Sequence, residues 1–299
     1  MKGFYWLLKR EIWEHRSFVI VPLLMAGVAL LFMLAGVTQG LSHQDGMEHV
    51  REHFRIPDVS PENRYLAVRV AIMTTAMPLN FVMLILIAVY LLDALYGERR
   101  DRSILFWKSL PVSDTSVVLS KLATATLAAP LITLTVTAAA QLIALVMASI
   151  AFLALGLTGW GWIWNPLGWL SGWAMLGYGY ILLWAVMLPY LAWLLLASAW
   201  ARRAPFLWAA VPPIALMIFE KWFLGSSHLA RLIFGHVHDL LPRTFSLPRP
   251  DLLKIIPNQQ TGLQPGLEFF AQPEIWGGIF VAVLFIAAAV WLRRYRDET

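Results

Sequence analysis

The sequence predicts an all-α membrane protein that crosses the bilayer six times. Two observations predict this fold class. The 299-residue chain is 59% hydrophobic and only 14% charged, whereas soluble domains carry about 25% charged residues. The apolar residues also fall into runs of roughly 20, the length that a helix needs to cross a hydrocarbon core of about 30 Å. The sequence lacks the strands of alternating polarity that are typical of a membrane barrel.

The six predicted spans share an almost complete lack of charge. They are Phe18–Val37, Val70–Leu92, a span within Leu122–Leu155, Trp173–Trp200, Pro205–Leu224 and Ile275–Leu292. Because they leave no room for a separate soluble domain, residues 1–299 are expected to form one membrane domain. The third run is longer than one crossing needs, so we expect it to tilt, to kink at Pro130, or to project beyond the bilayer.

Lysine and arginine indicate how the spans are oriented. Most of the 23 Lys and Arg residues lie close to span ends in the two terminal segments, in residues 93–121 and in the turn before Pro205. Cytoplasmic segments of membrane proteins carry this excess. We therefore expect both termini and residues 93–121 in the cytoplasm, and residues 39–69 and 225–274 as external loops. The net charge of +5 follows from this topology, so it does not indicate nucleic-acid binding.

Residues 1–17 are expected to form an interfacial helix before the first span. Its apolar side chains fall within roughly a quarter-turn of a helical wheel, namely Phe4, Tyr5, Leu8 and Ile12. Trp6 and Trp13 suit the headgroup layer of a membrane. The alternative interpretation is a frayed polar tail.

Several kinds of catalytic site are excluded by what the sequence lacks. Cysteine is absent, which rules out disulfides, cysteine nucleophiles and cysteine metal sites. No Gly-Lys dipeptide occurs, so the chain has no phosphate-binding loop of the GxxxxGK[ST] kind. No GxSxG motif is present either. If ATP drives this protein, a separate polypeptide binds it.

One motif typical of an enzyme occurs in the first external loop. His49-Val50-Arg51-Glu52-His53 matches the H-x-x-E-H pattern of inverted zinc proteases. On a helix, His49 and His53 lie one turn apart and could share a zinc ion, with Glu52 as the base. The alternative is a solvated amphipathic helix, since a loop this short is too small to enclose a protease cleft.

Polar residues are sparse inside the spans, and two of them suggest a transport pathway. Asn80 and Gln141 carry amides, which are costly to expose to lipid. Each is therefore expected to face a neighbouring helix or a cavity, and a role in a translocation path is one interpretation.

The most informative segment is a charged island, Asp93–Lys121, between two uncharged apolar runs. Asp101 or Ser103 can cap a short helix within it, and Pro111 would end that helix. The expected structure is a short helix that lies across the cytoplasmic mouth of two spans and docks on another protein. The alternative is an ordinary charged loop held at the lipid surface.

This island resembles the cytoplasmic loop of ABC-2 type permeases, the membrane subunits of bacterial ABC exporters. The resemblance is strongest over Tyr96–Lys121, with the pattern ERRDRSILFWKSLPVSD…SK, and extends loosely over the whole chain. It implies that the loop contacts a separate ATPase subunit. The contact residues would be Glu98, Arg99, Arg100, Asp101, Arg102, Ser103, Ile104, Leu105, Phe106, Trp107 and Lys108.

The resemblance also implies partners and a location. Two permeases, either identical or related, would assemble with two ATPases in a bacterial cytoplasmic (inner) membrane. ATP and magnesium would bind to the ATPase, whereas this chain would bind no cofactor and would not itself be an enzyme. Two other functions remain open: a membrane-embedded zinc metallohydrolase that uses His49, Glu52 and His53, and a non-transporting scaffold or sensor.

Overall fold

A computed structural model describes residues 2–42, 61–109, 111–154, 156, 160–235 and 270–295. All regular elements in these ranges are helices. Among the described residues, six helical segments are long and apolar enough to cross a membrane. They are Ser17–Gln39, Val70–Arg100, Asp114–Ala154, Pro166–Trp200, Pro205–Leu224 and Pro273–Tyr295. The predicted all-α fold with six spans is confirmed.

The described helices are numbered in chain order. They are α1 (Lys2–Glu14), α2 (Ser17–Ser42), α3 (Pro61–Arg100), α4 (Ser103–Ser109), α5 (Asp114–Ala123), α6 (Ala129–Ala154), α7 (Pro166–Trp200), α8 (Pro205–Phe219), α9 (His228–Ala230) and α10 (Pro273–Tyr295). Short π-helical turns follow α5, α8 and α9, and a 3₁₀ turn, Trp160–Trp164, precedes α7.

Helix α3 is much longer than the predicted span. It begins at Pro61 and continues to Arg100, because residues 93–100 contain no proline and are mostly good helix formers. The first part of the charged island is therefore a continuation of a spanning helix and not a loop. Of the two predicted external loops, residues 43–60 and 236–269 lie outside the described residues.

A widened helical turn precedes Pro130, where a kink was one of the three expected ways to accommodate the long third run. The segment Thr124–Ala128 between α5 and α6 is π-helical, and the Ala129 N–H donates to the Thr124 carbonyl. Proline has no N–H and its ring clashes with the carbonyl four residues before it. The wider turn directly before Pro130 accommodates the ring without ending the helix.

The chain forms two compact units, each built from several separate segments. The first unit comprises Met1–Arg16, Leu84–Pro130 and Gly179–Thr299, and the second comprises Ser17–Met83 and Leu131–Tyr178. In the first unit, α1 and α10 both pack against α5. The N-terminal helix and the last described helix thus both pack against the end of the charged island.

In the second unit, α7 approaches α3 very closely. Gly172 faces Ile72, and a Cβ atom added at Gly172 would lie 2.4 Å from Ile72 Cδ1. Asn165 caps the start of α7, because its side-chain oxygen accepts the Leu167 N–H at 3.0 Å. Pro166 occupies the first helical position. Both features are typical of helix N-termini.

Candidate functional site

The predicted docking segment, residues 98–108, comprises the end of α3, a two-residue turn and most of α4. Arg102 in the turn has a φ of 55°, in the left-handed region that side chains other than glycine rarely adopt. The Ser103 hydroxyl donates to the Glu98 carbonyl at 3.3 Å. This turn ends α3, and the hydrogen bond ties the first residue of α4 to the last turn of α3.

The segment has one side directed into the protein and one side directed out. Glu98 and Ile104 are buried, and Arg99, Ser103 and Trp107 are partly buried. The exposed residues are Arg100, Asp101, Arg102, Leu105, Phe106 and Lys108. The structure thus brings the predicted contact residues together, but only these six residues present an outward surface, which we call the α4 face.

Glu98 belongs to a cluster of four buried charged side chains in the first unit. Glu11, Glu98, Lys121 and Arg293 come from α1, α3, α5 and α10, and each is 7% exposed or less. We call this group the ion cluster. Lys121 lies at its centre, because Lys121 Nζ is 3.0 Å from Glu11 Oε1 and also 3.0 Å from Glu98 Oε1. Buried charges are tolerated only when they are paired in this way.

Further groups complete the pairing of the ion cluster. Arg293 Nη1 donates to Glu98 Oε2, and Arg293 Nε donates to Asp114 Oδ1 at 3.0 Å. The Tyr90 hydroxyl donates to Glu11 Oε2 at 2.8 Å. Glu98 Oε1 is stabilised by the charge of Lys121 and not by a well-aligned hydrogen bond within the described residues. Three acids and two bases from four helices are thereby held in one connected network.

Arg10 connects the ion cluster to α4. Its guanidinium carbon lies 3.7 Å from the centre of the Trp107 ring, within the range of a cation–π interaction. The same guanidinium is 3.2 Å from Glu11, 3.6 Å from Glu98 and 2.9 Å from Glu14. Since Arg10 touches both Trp107 and the cluster, α4 is coupled to α1 through side chains as well as through the chain.

Arg99 anchors the end of α3 to the end of α7. Arg99 Nη2 donates to the carbonyls of Ser198 and Ala201, at 2.6 and 2.8 Å. These carbonyls lie at a helix C-terminus, where cations are favourable because the backbone carbonyls there lack helical partners. The buried Ser198 hydroxyl in turn accepts the Leu95 and Tyr96 N–H groups, each at 3.0 Å.

Gln141 joins three helices of the second unit. Its Nε2 donates to the Ile72 carbonyl and to Thr75 Oγ1, each at 2.9 Å, and its Oε1 accepts the Trp173 indole N–H at 2.9 Å. The amide is therefore satisfied by protein atoms. Asn80, the other predicted pathway residue, has a buried Oδ1 with no hydrogen-bond partner among the described residues.

The predicted metal ligands His49, Glu52 and His53 lie outside the described residues. Within the described part of the chain, Glu11, Glu14 and His15 could present three ligand atoms within 4.8 Å of one another. Both Glu11 oxygens already bind Lys121 and Tyr90, so this group would have to surrender existing pairs to hold a cation.

Sequence reasoning did not find the ion cluster apart from Glu98. Lys121 and Arg293 were interpreted only as cytoplasmic charges near span ends, Lys121 also as the end of the charged island, and Glu11 was not singled out. A usable signal was present, because Lys121 and Arg293 directly adjoin apolar runs, and Glu11 lies three residues after Leu8 and directly before Ile12. A charge in such a position is either at the interface or paired.

Comparison of the chain with family models, with curated proteins and with solved structures found no match in any of the three.

Proposed function

We propose that this chain is the membrane subunit of an ATP-driven exporter and that a separate ATPase docks on the α4 face. The observation that supports this best is the position of α4: its outward face carries Leu105 and Phe106, 50% and 59% exposed, beside cations. Its inward side contacts the ion cluster through Arg10. Exposed apolar side chains among charges are typical of a protein-binding surface.

The ion cluster is suited to carry a displacement of α4 into the membrane. The chain passes directly from α3 into α4, and α5 begins a few residues after α4 ends. Glu98 at the end of α3 pairs with Lys121 on α5 and with Arg293 on α10. A push on α4 would therefore move three membrane helices and α1 together, because buried ion pairs resist separation.

The remaining parts of the proposal come from the resemblance of residues 96–121 to ABC-2 type permeases. Two ATPase subunits bind ATP and magnesium, and a second permease, identical or related, completes the assembly in the bacterial cytoplasmic membrane. The α4 face then lies in the cytoplasm. This chain contributes the path for the substrate and no catalytic residue.

The proposal is tested by purifying the tagged full-length chain from its native membrane. We expect a co-purified subunit that contains a Walker motif, together with ATPase activity in the purified assembly. Phe106→Asp and Lys108→Glu should each lower the recovery of that subunit at least about fivefold, since the residues that dominate an interface contribute more than about 1 kcal/mol each.

Arg203→Glu is the matched control for Lys108→Glu. Arg203 is an exposed cation in the turn between α7 and α8, so its reversal changes the charge equally but leaves the α4 face intact. It should retain the ATPase. Undiminished recovery with both α4 variants, or the same loss with Arg203→Glu, would contradict docking on this face.

A further inference from the structure

The outward face of α1 carries a lysine between two tryptophans. Lys9 Nζ lies 5.0 Å from the centre of the Trp6 ring and 4.7 Å from the centre of the Trp13 ring. Both indoles are largely exposed, at 59% and 66%. The spacing of three and four residues places all three side chains on one side of the helix. We call Trp6, Lys9 and Trp13 the indole clamp.

The orientation of the indole clamp is fixed by the other side of α1. Leu7 and Glu11 are buried, and Glu11 is paired with Lys121 in the ion cluster. Rotation of α1 about its axis would bury the indoles and break that pair. The clamp therefore faces away from the rest of the first unit.

The charge of Lys9 is not neutralised within the described residues. Arg10, Lys121 and Arg293 each contact carboxylates, whereas the contacts of Lys9 are with ring faces. An ammonium has three N–H donors, and a cation–π contact restricts the position of the charge without cancelling it. Lys9 is thus held in place and able to bind an anion.

The position of α1 in the chain indicates which anion is present. Helix α2, the first segment able to cross a membrane, begins at Ser17, and α1 ends at Glu14. The clamp therefore lies near a bilayer surface, where tryptophan is favoured at the headgroup level. Arg16, an exposed cation, follows α1 in the sequence and adds positive charge to the same segment.

We propose that the indole clamp binds the phosphate of an anionic phospholipid headgroup. Lys9 is the residue that binds the phosphate, and Trp6 and Trp13 lie on either side of it. The indoles insert among the lipid headgroups, and the ammonium donates to phosphate oxygens. The proposal does not depend on the transport function, because it rests only on α1 and its neighbouring span.

The test uses the purified full-length protein titrated with phosphatidylglycerol or phosphatidylcholine and followed by native mass spectrometry. The wild type should prefer phosphatidylglycerol. Lys9→Gln should lower that preference about fivefold, since a basic residue near an anionic surface contributes about 1 kcal/mol. Lys9→Arg should retain it, because arginine also binds phosphate and stacks on indoles.

Arg203→Gln is the matched control, since Arg203 is an exposed cation outside the clamp. It should keep the wild-type preference. The proposal is overturned if Lys9→Gln keeps the preference, if Arg203→Gln loses it equally, or if the wild type has none. Displacement of phosphatidylglycerol by inorganic phosphate would mark a free-anion site instead. A changed oligomeric state in Lys9→Gln, with lipid preference intact, would mark a protein interface.

Discussion

Replacing Lys121 by methionine gives a direct test of the ion cluster. Methionine keeps much of the volume of lysine but removes the charge that lies 3.0 Å from both Glu11 and Glu98. At that distance and an effective dielectric constant of about 20, each Coulomb attraction is about 5 kcal/mol before the cost of desolvation is subtracted. The two carboxylates would then remain buried with one cation fewer.

The expected net loss is about 3 kcal/mol of unfolding free energy. Removing one partner of a buried pair typically costs about 3 to 5 kcal/mol, and the low end applies because other cations remain. Glu11 keeps Arg10 at 3.2 Å, and Glu98 keeps Arg293. For a chain of 299 residues, the apparent unfolding midpoint should fall by roughly 5 °C.

The assay is thermal unfolding of the full-length protein in detergent, followed by circular dichroism at one fixed heating rate. Lys108→Met is the matched control, since Lys108 is exposed on α4 and its loss should change stability by less than about 0.5 kcal/mol. The double variant Lys121→Met with Glu11→Gln removes one charge of each sign. It should be more stable than Lys121→Met alone, because fewer unpaired carboxylates remain buried.

Two results would refute this reasoning. One is a midpoint for Lys121→Met that equals that of Lys108→Met, because the lysine would then not be holding two buried acids. The other is a double variant whose losses simply add, because independent sites, not a shared cluster, behave in that way.

Two predictions concern the second unit, and both are measured by the same thermal assay. Gln141→Leu breaks the hydrogen bonds to Ile72, Thr75 and Trp173. It should lower the free energy of unfolding by about 1 to 2 kcal/mol. A loss of stability no larger than that of Trp173→Phe would mean that the hydrogen bonds from the amide to α3 contribute nothing. Gly172→Ala places a methyl group 2.4 Å from Ile72 Cδ1 and should cost about 1 kcal/mol. Ile72→Val removes that carbon, so the double variant Gly172→Ala with Ile72→Val should recover most of the lost stability. If the stability stays low in the double variant, the added methyl group clashes with a different atom.

The number and placement of the spans were predictable because span length and apolarity are local properties of the sequence. Each described spanning segment contains or overlaps a predicted apolar run. The end of α3 was not predicted, because charge marks the end of an apolar run but does not by itself end a helix. Residues 93–100 thus looked like a loop although they extend a spanning helix to Arg100.

The charged island could be identified from the sequence, but its inward and outward sides could not. Within residues 98–108, the five charged residues 98–102 are followed by Ser103 and the apolar run 104–107, with no helical stripe. The turn at Arg102 changes the direction of the chain, so no single helical wheel describes the segment. The cytoplasmic location of the island and its contact with an ATPase stay predictions.

By itself, the sequence determined an all-α chain with six membrane-crossing helices, a charged segment between two of them and no motif for binding nucleotide phosphates. Only the tertiary structure decided which charged residues form buried ion pairs. Lys121 meets Glu11 across 110 residues, and Arg293 meets Glu98 across 195. The physical reason is that pairing depends on where distant helix ends meet, whereas hydrophobic run length depends only on neighbouring residues.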